Sequence, residues 1–303
     1  MMRIILLILL PLASYAGIYF ISEADINSRT TGLRSSDFAV ASYAPNAVSN
    51  PSFLAEQNSI YFISSYHNHF SDVNSGSITF SHPDLLYKKV PLAVSIFTIS
   101  YGKFEDIDTG SDYSPYETMF VLSSGCELNK VMLGTNVKYI YSSINNEYSS
   151  SGMVFDFASS YRLFSDKIYL AAGIFNIGFQ ISEYYDKNED VGGFVKTGIG
   201  YRVEKLPLKL MIQNDLYFEG RTRTAAGVEF DAKENLTVRA GYDLSLRDMN
   251  IGTATKNEQF SGLSLGATIL FMDFGFDFSY LVNGEMNNEL SMTMNLNMNK
   301  YLK

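Results

Sequence analysis

The sequence predicts an all-β protein: a transmembrane antiparallel β-barrel of about fourteen strands with a short amino-terminal hatch or plug segment in its lumen. Three observations predict it. From about residue 59 to 299, apolar and polar residues alternate with the period of two that gives a strand two unlike faces. The alternating segments come to about fourteen, an even number, as closure of an up-and-down barrel requires. The connections between them are alternately short and long, as at the two rims of such a barrel. Composition agrees, because charged residues make up 18% of the 303 and aromatics 14%, against roughly 25% charged in an ordinary soluble domain. The net charge is -9 with no Lys/Arg-rich run, which excludes nucleic acid as a partner. Cys126 is the sole cysteine, so neither a disulfide framework nor a cysteine-based metal cluster is available.

Residues 1–16 read as a cleaved signal peptide, with Arg3, an apolar core over 4–12, and small residues Ser14 and Ala16 before Gly17. Pro11 and the polar residues Glu23, Asp25 and Asn27 keep this stretch short of the about 20 apolar residues a spanning helix needs. No second run of that kind follows, so strands are the remaining way across a membrane. Residues 17–57 alternate weakly, contain two prolines and are too irregular for spanning strands. They are assigned to the lumen, because a barrel this wide has room that wall side chains alone do not fill. Residues 58–303 form the barrel, with strands expected near 59–66, 74–82, 90–101, 116–127, 131–143, 151–163, 167–179, 194–204, 206–219, 221–231, 235–244, 258–270, 272–281 and 288–299. The last is the clearest: Leu290, Met292, Met294, Leu296 and Met298 alternate with Ser291, Thr293, Asn295, Asn297 and Asn299.

Joints at 128–130, 164–166, 205 and 232–234 are short, whereas those at 102–115, 144–150, 180–193 and 245–258 are long. The joint around Gly220 breaks the rule. A sandwich in water would also alternate, but its polar face would carry more Lys and Glu. Here that face is Ser, Thr, Asn, Gly and mixed charge, suited to a wet lumen, and tyrosines such as Tyr101, Tyr139, Tyr201 and Tyr280 fall near strand ends, where interfacial girdles sit.

Chemistry has few places to live. There is no Gly-x-Ser-x-Gly, no phosphate loop and no paired catalytic carboxylate, so no enzyme activity, cofactor or metal is expected. His67, His69 and His82 read as rim residues ahead of a metal clip. Asp106, Asp108 and Asp112, and likewise Asp186, Glu189 and Asp190, lack the spacing and glycine of a calcium loop. Cys126 is expected to be buried and inert. Parity turns Asp156, Arg162, Lys196, Arg202, Lys209, Asp215, Arg221, Arg223, Glu229, Asp231, Arg239, Asp243, Asp273 and Asp277 inward. Both signs are present, which suits a salt-bridge lattice holding the inner segment rather than a selective ion path. Phe38, Tyr43, Phe53 and Leu54 either line an apolar pocket for a lipid-like ligand or pack the segment against the wall.

Within 32–55, Gly32, Asn46, Ala47, Asn50, Pro51, Leu54 and Ala55 form a box just ahead of the first strand. Gly227-Val228-Glu229, Arg239-Ala240-Gly241-Tyr242, Gly262-Leu263-Ser264-Leu265-Gly266 and Phe276-Asp277-Phe278-Ser279-Tyr280 follow near the other end. On these residues the chain resembles the PorV/PorQ family of FadL-like bacterial outer-membrane barrels, although Ser52 and Phe53 stand where Ala and Gly are usual and the preceding glycine cluster is absent. The resemblance implies a bacterial outer-membrane barrel with an amino-terminal hatch, short turns in the periplasm and long loops outside. It implies either passage or binding of small hydrophobic molecules gated by the hatch, or a component of a type IX secretion system that docks or shuttles cargo. The partners implied are outer-membrane lipid, a hydrophobic small-molecule ligand, and secretion-system or cargo proteins.

Overall fold

The computed structural model describes residues 17–42, 46–69, 72–86, 90–105, 110–145, 148–164, 166–184, 188–245, 260–282 and 288–301. Fourteen strands close into one barrel: β1 (Tyr61–Asn68), β2 (Asn74–Leu86), β3 (Val90–Ser100), β6 (Tyr116–Leu128), β7 (Val131–Ser143), β8 (Ser149–Leu163), β9 (Ile168–Ser182), β10 (Phe194–Arg202), β11 (Leu208–Tyr217), β12 (Thr222–Lys233), β13 (Leu236–Asp243), β14 (Leu263–Phe271), β15 (Phe274–Leu281) and β16 (Glu289–Asn297). Each pairs antiparallel with its neighbour in the chain, and β1 closes the ring on β16 from Tyr61↔Asn297 to Asn68↔Leu290. A two-stranded ribbon, β4 (Phe104–Glu105) with β5 (Asp112–Tyr113), stands in the connection between β3 and β6. Closure matters because an unpaired backbone group in hydrocarbon costs several kcal/mol, and a ring has no edge to leave unpaired.

Burial on the strands is the reverse of a soluble sheet. On β16 Leu290 is 57% and Met292 46% exposed, while Ser291 is 6% and Thr293 1% exposed. The apolar face looks out and the polar face looks in, which is stable only where the exterior is itself apolar. Cys126 sits on the outward parity of β6 and is exposed. The expected burial does not occur, because its neighbour Gly125 takes the inward position.

At one rim the joints are tight. Asn129 and Lys130 both hold positive φ, 51° and 71°, giving a two-residue turn whose twist matches the strands it joins. Met272, at φ 55°, and Asp273 turn the chain between β14 and β15. Parity places Asp273 in the lumen; in the structure it lies in this turn and accepts from Lys300 Nζ at 2.8 Å. The alternation of β15 extends back through Met272, so the boundary expected at 271 falls just short of the turn. The twelfth strand also begins later than expected, at Leu263, after Gly262 bends the chain at φ 91°. At the opposite rim the connections include 101–115 and 183–193. Residues 1–16, Tyr43, Asp106, Asp108, Asp186 and most of the connection at 245–258 lie outside the described residues.

Candidate functional site

The amino-terminal residues from Gly17 run through the barrel from the long-loop rim to the short-turn rim. At the first rim Ile18 N–H donates to Asp190 O at 3.0 Å, Tyr19 Oη pairs with Ser150 Oγ at 2.7 Å, and Ile21 N–H donates to Glu117 Oε2 at 2.7 Å. A short helix, α1 (Ser28–Gly32), follows because Asn27 caps it, its side chain accepting from Thr30 N–H at 2.9 Å. Ser28 N–H and Oγ meet Thr293 Oγ1 at 2.9 and 3.0 Å, and Gly32 O accepts from Ser264 Oγ at 3.0 Å, seating α1 on β14 to β16. Arg34 and Ser35 then turn at φ 53° and 64°, and a 3-10 helix spans Ser36–Ala39.

Asn50 organises the next bend. Its amide donates to Phe38 O at 2.7 Å and Ser160 Oγ at 3.1 Å, and its Oδ1 accepts from Ser52 N–H and Oγ. Pro51 opens the 3-10 helix Pro51–Glu56, where its missing N–H costs nothing. Asn46 donates to Thr30 Oγ1 at 2.7 Å, tying this bend to α1. Of the expected motif residues, Asn46 and Asn50 thus bond within the segment, Gly32 and Asn50 also touch the wall, and Leu54 is fully buried with Ala47 and Ala93.

The wall receives the segment on inward glycines to which the sequence reading gives no such role. Gly125 and Gly134 face each other across β6 and β7, and a Cβ on Gly125 would come within 2.8 Å of Pro51 O. A Cβ on Gly134 would collide with the Pro51–Ser52 peptide. Gly227 and Gly241, opposed across β12 and β13, would collide with Ser36 and Leu33 in the same way. Inward glycines opposed on adjacent strands were the available signal for close backbone approach.

Charge supplies the second attachment. Arg29 of α1 bonds Asp37 at 2.7 Å and Glu229 of β12 at 3.0 Å, while Glu229 also faces Lys209 at 2.9 Å and Arg239 at 3.6 Å. Arg239 continues to Asp277 at 3.1 Å, which accepts from Asn295 at 2.8 Å. Burial opposes the Arg29 charge, but the carboxylates of Glu229 and Asp37 outweigh it and hold the guanidinium above its ordinary value. Arg223 bonds Asp243 at 2.7 Å and reaches the segment at Ser35 Oγ and Arg34 O. Arg221 stands at the long-loop rim, bonded to Glu23 of the segment at 3.0 Å. Burial pushes the Asp25 carboxyl up, against Arg223 and the Ser35 hydroxyl that donates to it at 2.8 Å. Arg29, Asp37 and Asp25 carry no periodic signal, and sequence reasoning missed their roles. A further buried set, Lys138 with Asp156 at 2.7 Å and Asn176 N–H with Asp156 at 2.9 Å, holds a bulge of β9 at Asn176.

Of the expected apolar pocket residues, the three that are described, Phe38, Phe53 and Leu54, lie in different places. Phe38 stands edge-on to Phe175, 5.6 Å between centroids, in a cluster capped by Lys196 Nζ, which lies 5.0 Å from the Phe175 centroid. Leu54 belongs to a different cluster, and Phe53 borders a cavity. A large apolar surface lies elsewhere. On β3, β6, β7 and β8 the inward residues Phe97, Ile99, Met119, Val121, Ile140 and Val154 are apolar, and Tyr19, Ile21, Ile26 and Val48 of the segment cover them. The signal was an apolar run on both parities of β3, which alternation does not register.

Beside Arg29 and Asp277 a cavity of about 30 Å³ has room for roughly one water. At the short-turn mouth two larger cavities open, about 540 Å³ beside Phe53, Arg162, Tyr169 and Arg202, and about 330 Å³ beside Asp231, Lys233 and Thr237. His67 and His69 stack 5.8 Å apart near the long-loop end, His69 facing Glu289 at 3.0 Å, while His82 lies toward the other end of β2.

No protein-family profile matches the chain, and no curated protein matches it by sequence. Solved structures share its fold. The Ralstonia pickettii toluene transporter TbuX aligns with a TM-score of 0.55 at 10% identity, covering 92% of this chain and 100% of that one. The Pseudomonas putida toluene transporter TodX gives 0.53 at 13% identity, covering 93% and 97%. A Pseudomonas aeruginosa FadL homologue gives 0.56 at 10%, covering 90% and 98%. The likeness is to FadL-like outer-membrane barrels as a fold; the finer resemblance to PorV/PorQ rests on the sequence motifs alone.

Proposed function

We propose that the protein is a bacterial outer-membrane barrel, exported by residues 1–16, that binds or passes small hydrophobic molecules past a movable amino-terminal segment. The observation that carries this reading is the apolar sector of β3 and β6 to β8, inside a lumen whose opposite wall, on β12 to β16, is polar and charged. A water-filled pore has no use for Phe97, Ile99 and Met119 on its inner wall, whereas an apolar guest gains about 25 cal/mol for each Å² it removes from water there. The fold likeness to two toluene transporters supports the same class of guest. In this reading the long loops face outward, the guest arrives at that rim, and Tyr19 and Ile21 yield the surface to it. The box around Asn50 and Pro51 that resembles PorV/PorQ acts as the fixed end of the segment, docked on Gly125 and Gly134.

A tether tests it. Ser28 Oγ and Thr293 Oγ1 are 3.0 Å apart, so cysteines at both positions in a Cys126→Ser background will lock α1 to β16 when oxidised. Toluene uptake by cells carrying the variant should fall at least tenfold when oxidised and recover on reduction. Equal uptake in both states would remove the gating role of the segment.

A further inference from the structure

The cavity of about 540 Å³ at the short-turn mouth contains a charge that the ion-pair network leaves over. Arg162 of β8, Arg202 of β10 and Lys209 of β11 border it on adjoining inward positions, Arg162 in register with Tyr169 of β9 and Arg202 with Lys209. Two of the three cations are engaged. Arg162 meets Glu56 of the segment and Asp166, the latter at 3.9 Å, and Lys209 meets Glu229 at 2.9 Å and Asp231 at 3.6 Å. Among the described residues Arg202 forms no ion pair. Its guanidinium lies 6.0 Å from the centroid of Tyr169, the ring that Arg162 approaches at 5.8 Å. Phe53 adds an apolar side to the same cavity, whose volume falls within the range of small-molecule sites.

We propose that this mouth binds a small organic monocarboxylate, its carboxylate paired with Arg202 and its apolar body resting on Tyr169 and Phe53. A guanidinium held by no carboxylate is free to accept one negative charge, and the planar fork of Arg matches a carboxylate through two parallel hydrogen bonds. A doubly charged phosphate would need Arg162 or Lys209 as well, and both are held by carboxylates. The site is at the opposite end of the lumen from the apolar sector, and the proposal does not rest on passage through the barrel.

Benzoate titrated into the full chain in detergent, followed by calorimetry, tests this. Saturable binding is expected, weakened at least tenfold by Arg202→Gln, less by Arg202→Lys, and reduced as salt is raised. Benzyl alcohol, the neutral counterpart, should not compete. Arg202 is solvent-exposed, and unchanged heat-modifiable mobility on gels will show that its variants fold. Lys233→Gln, a cation of the neighbouring cavity, should leave binding intact. The proposal is overturned if wild-type binding does not saturate, if Arg202→Gln binds as well as wild type, if Lys233→Gln loses as much, or if inorganic phosphate binds as tightly as benzoate.

Discussion

Arg29 is the residue through which the inner segment and the wall share one set of charges, because its guanidinium bonds Asp37 on its own segment and Glu229 on β12. Breaking a buried pair from one side leaves a charge without its partner, which costs about 3–5 kcal/mol. Arg29→Met should therefore destabilise the protein by on the order of 3 kcal/mol, at the low end because Lys209 and Arg239 still face Glu229. Chemical denaturation in detergent measures it, and a loss below about 1 kcal/mol would show the pair to be dispensable. Asp25 works in the other direction. Burial raises its carboxyl above the ordinary Asp value, so the contribution of this group to docking is fully present below the unfolded value, near 3.9, and is lost as pH rises through the raised one. Protease protection of the segment in Asp25→Asn should match wild type near pH 4 and exceed it near pH 8; protection that stays equal at both would contradict this sign. Neither residue could be singled out from sequence, since a lone Arg or Asp in an aperiodic stretch looks the same whether it is solvated or paired.

The wall glycines belong to the scale of the element. Gly134 lets the 3-10 helix Pro51–Glu56 approach the strand backbone so closely that no Cβ fits between them. Gly134→Val should leave the barrel closed, since valine favours strands, yet expel this helix. Limited proteolysis would then cut near Asn58 in the variant and not in wild type; Thr135→Val, on the outer parity of the same strand, is the control and should change nothing. Strands were legible because alternation reports a face at every second residue, and β15 and β16 follow it throughout. Turns were less legible. The reversal between β14 and β15 was expected at 271, where the apolar positions change parity, and lies at Met272 and Asp273, because those two residues continue the pattern of β15.

At the scale of the whole molecule the exterior decides the environment. Met292 faces outward in the middle of β16 at 46% exposure, while Thr293 beside it is sealed in the lumen. A cation near the bilayer midplane of a barrel costs about 2–4 kcal/mol, so Met292→Arg should lower unfolding free energy in lipid vesicles by that amount. A change under about 0.5 kcal/mol, as for an ordinary surface site, would place this face in water instead.

The period-two pattern by itself determined that the chain is a barrel of about fourteen strands, which parity of most strands faces the lumen, and which rim carries the short turns. These follow almost locally, because every strand pairs with its neighbours in the chain except at the single closing seam of β1 on β16. Which wall residues meet the amino-terminal segment was decided by tertiary structure alone. Arg29 and Glu229, or Pro51 and Gly134, stand far apart in sequence and meet only because closure curves the sheet around a lumen that the segment then fills. The same holds for the apolar sector, where Phe97, Met119 and Val154 come from separate strands and become one surface once the ring has closed.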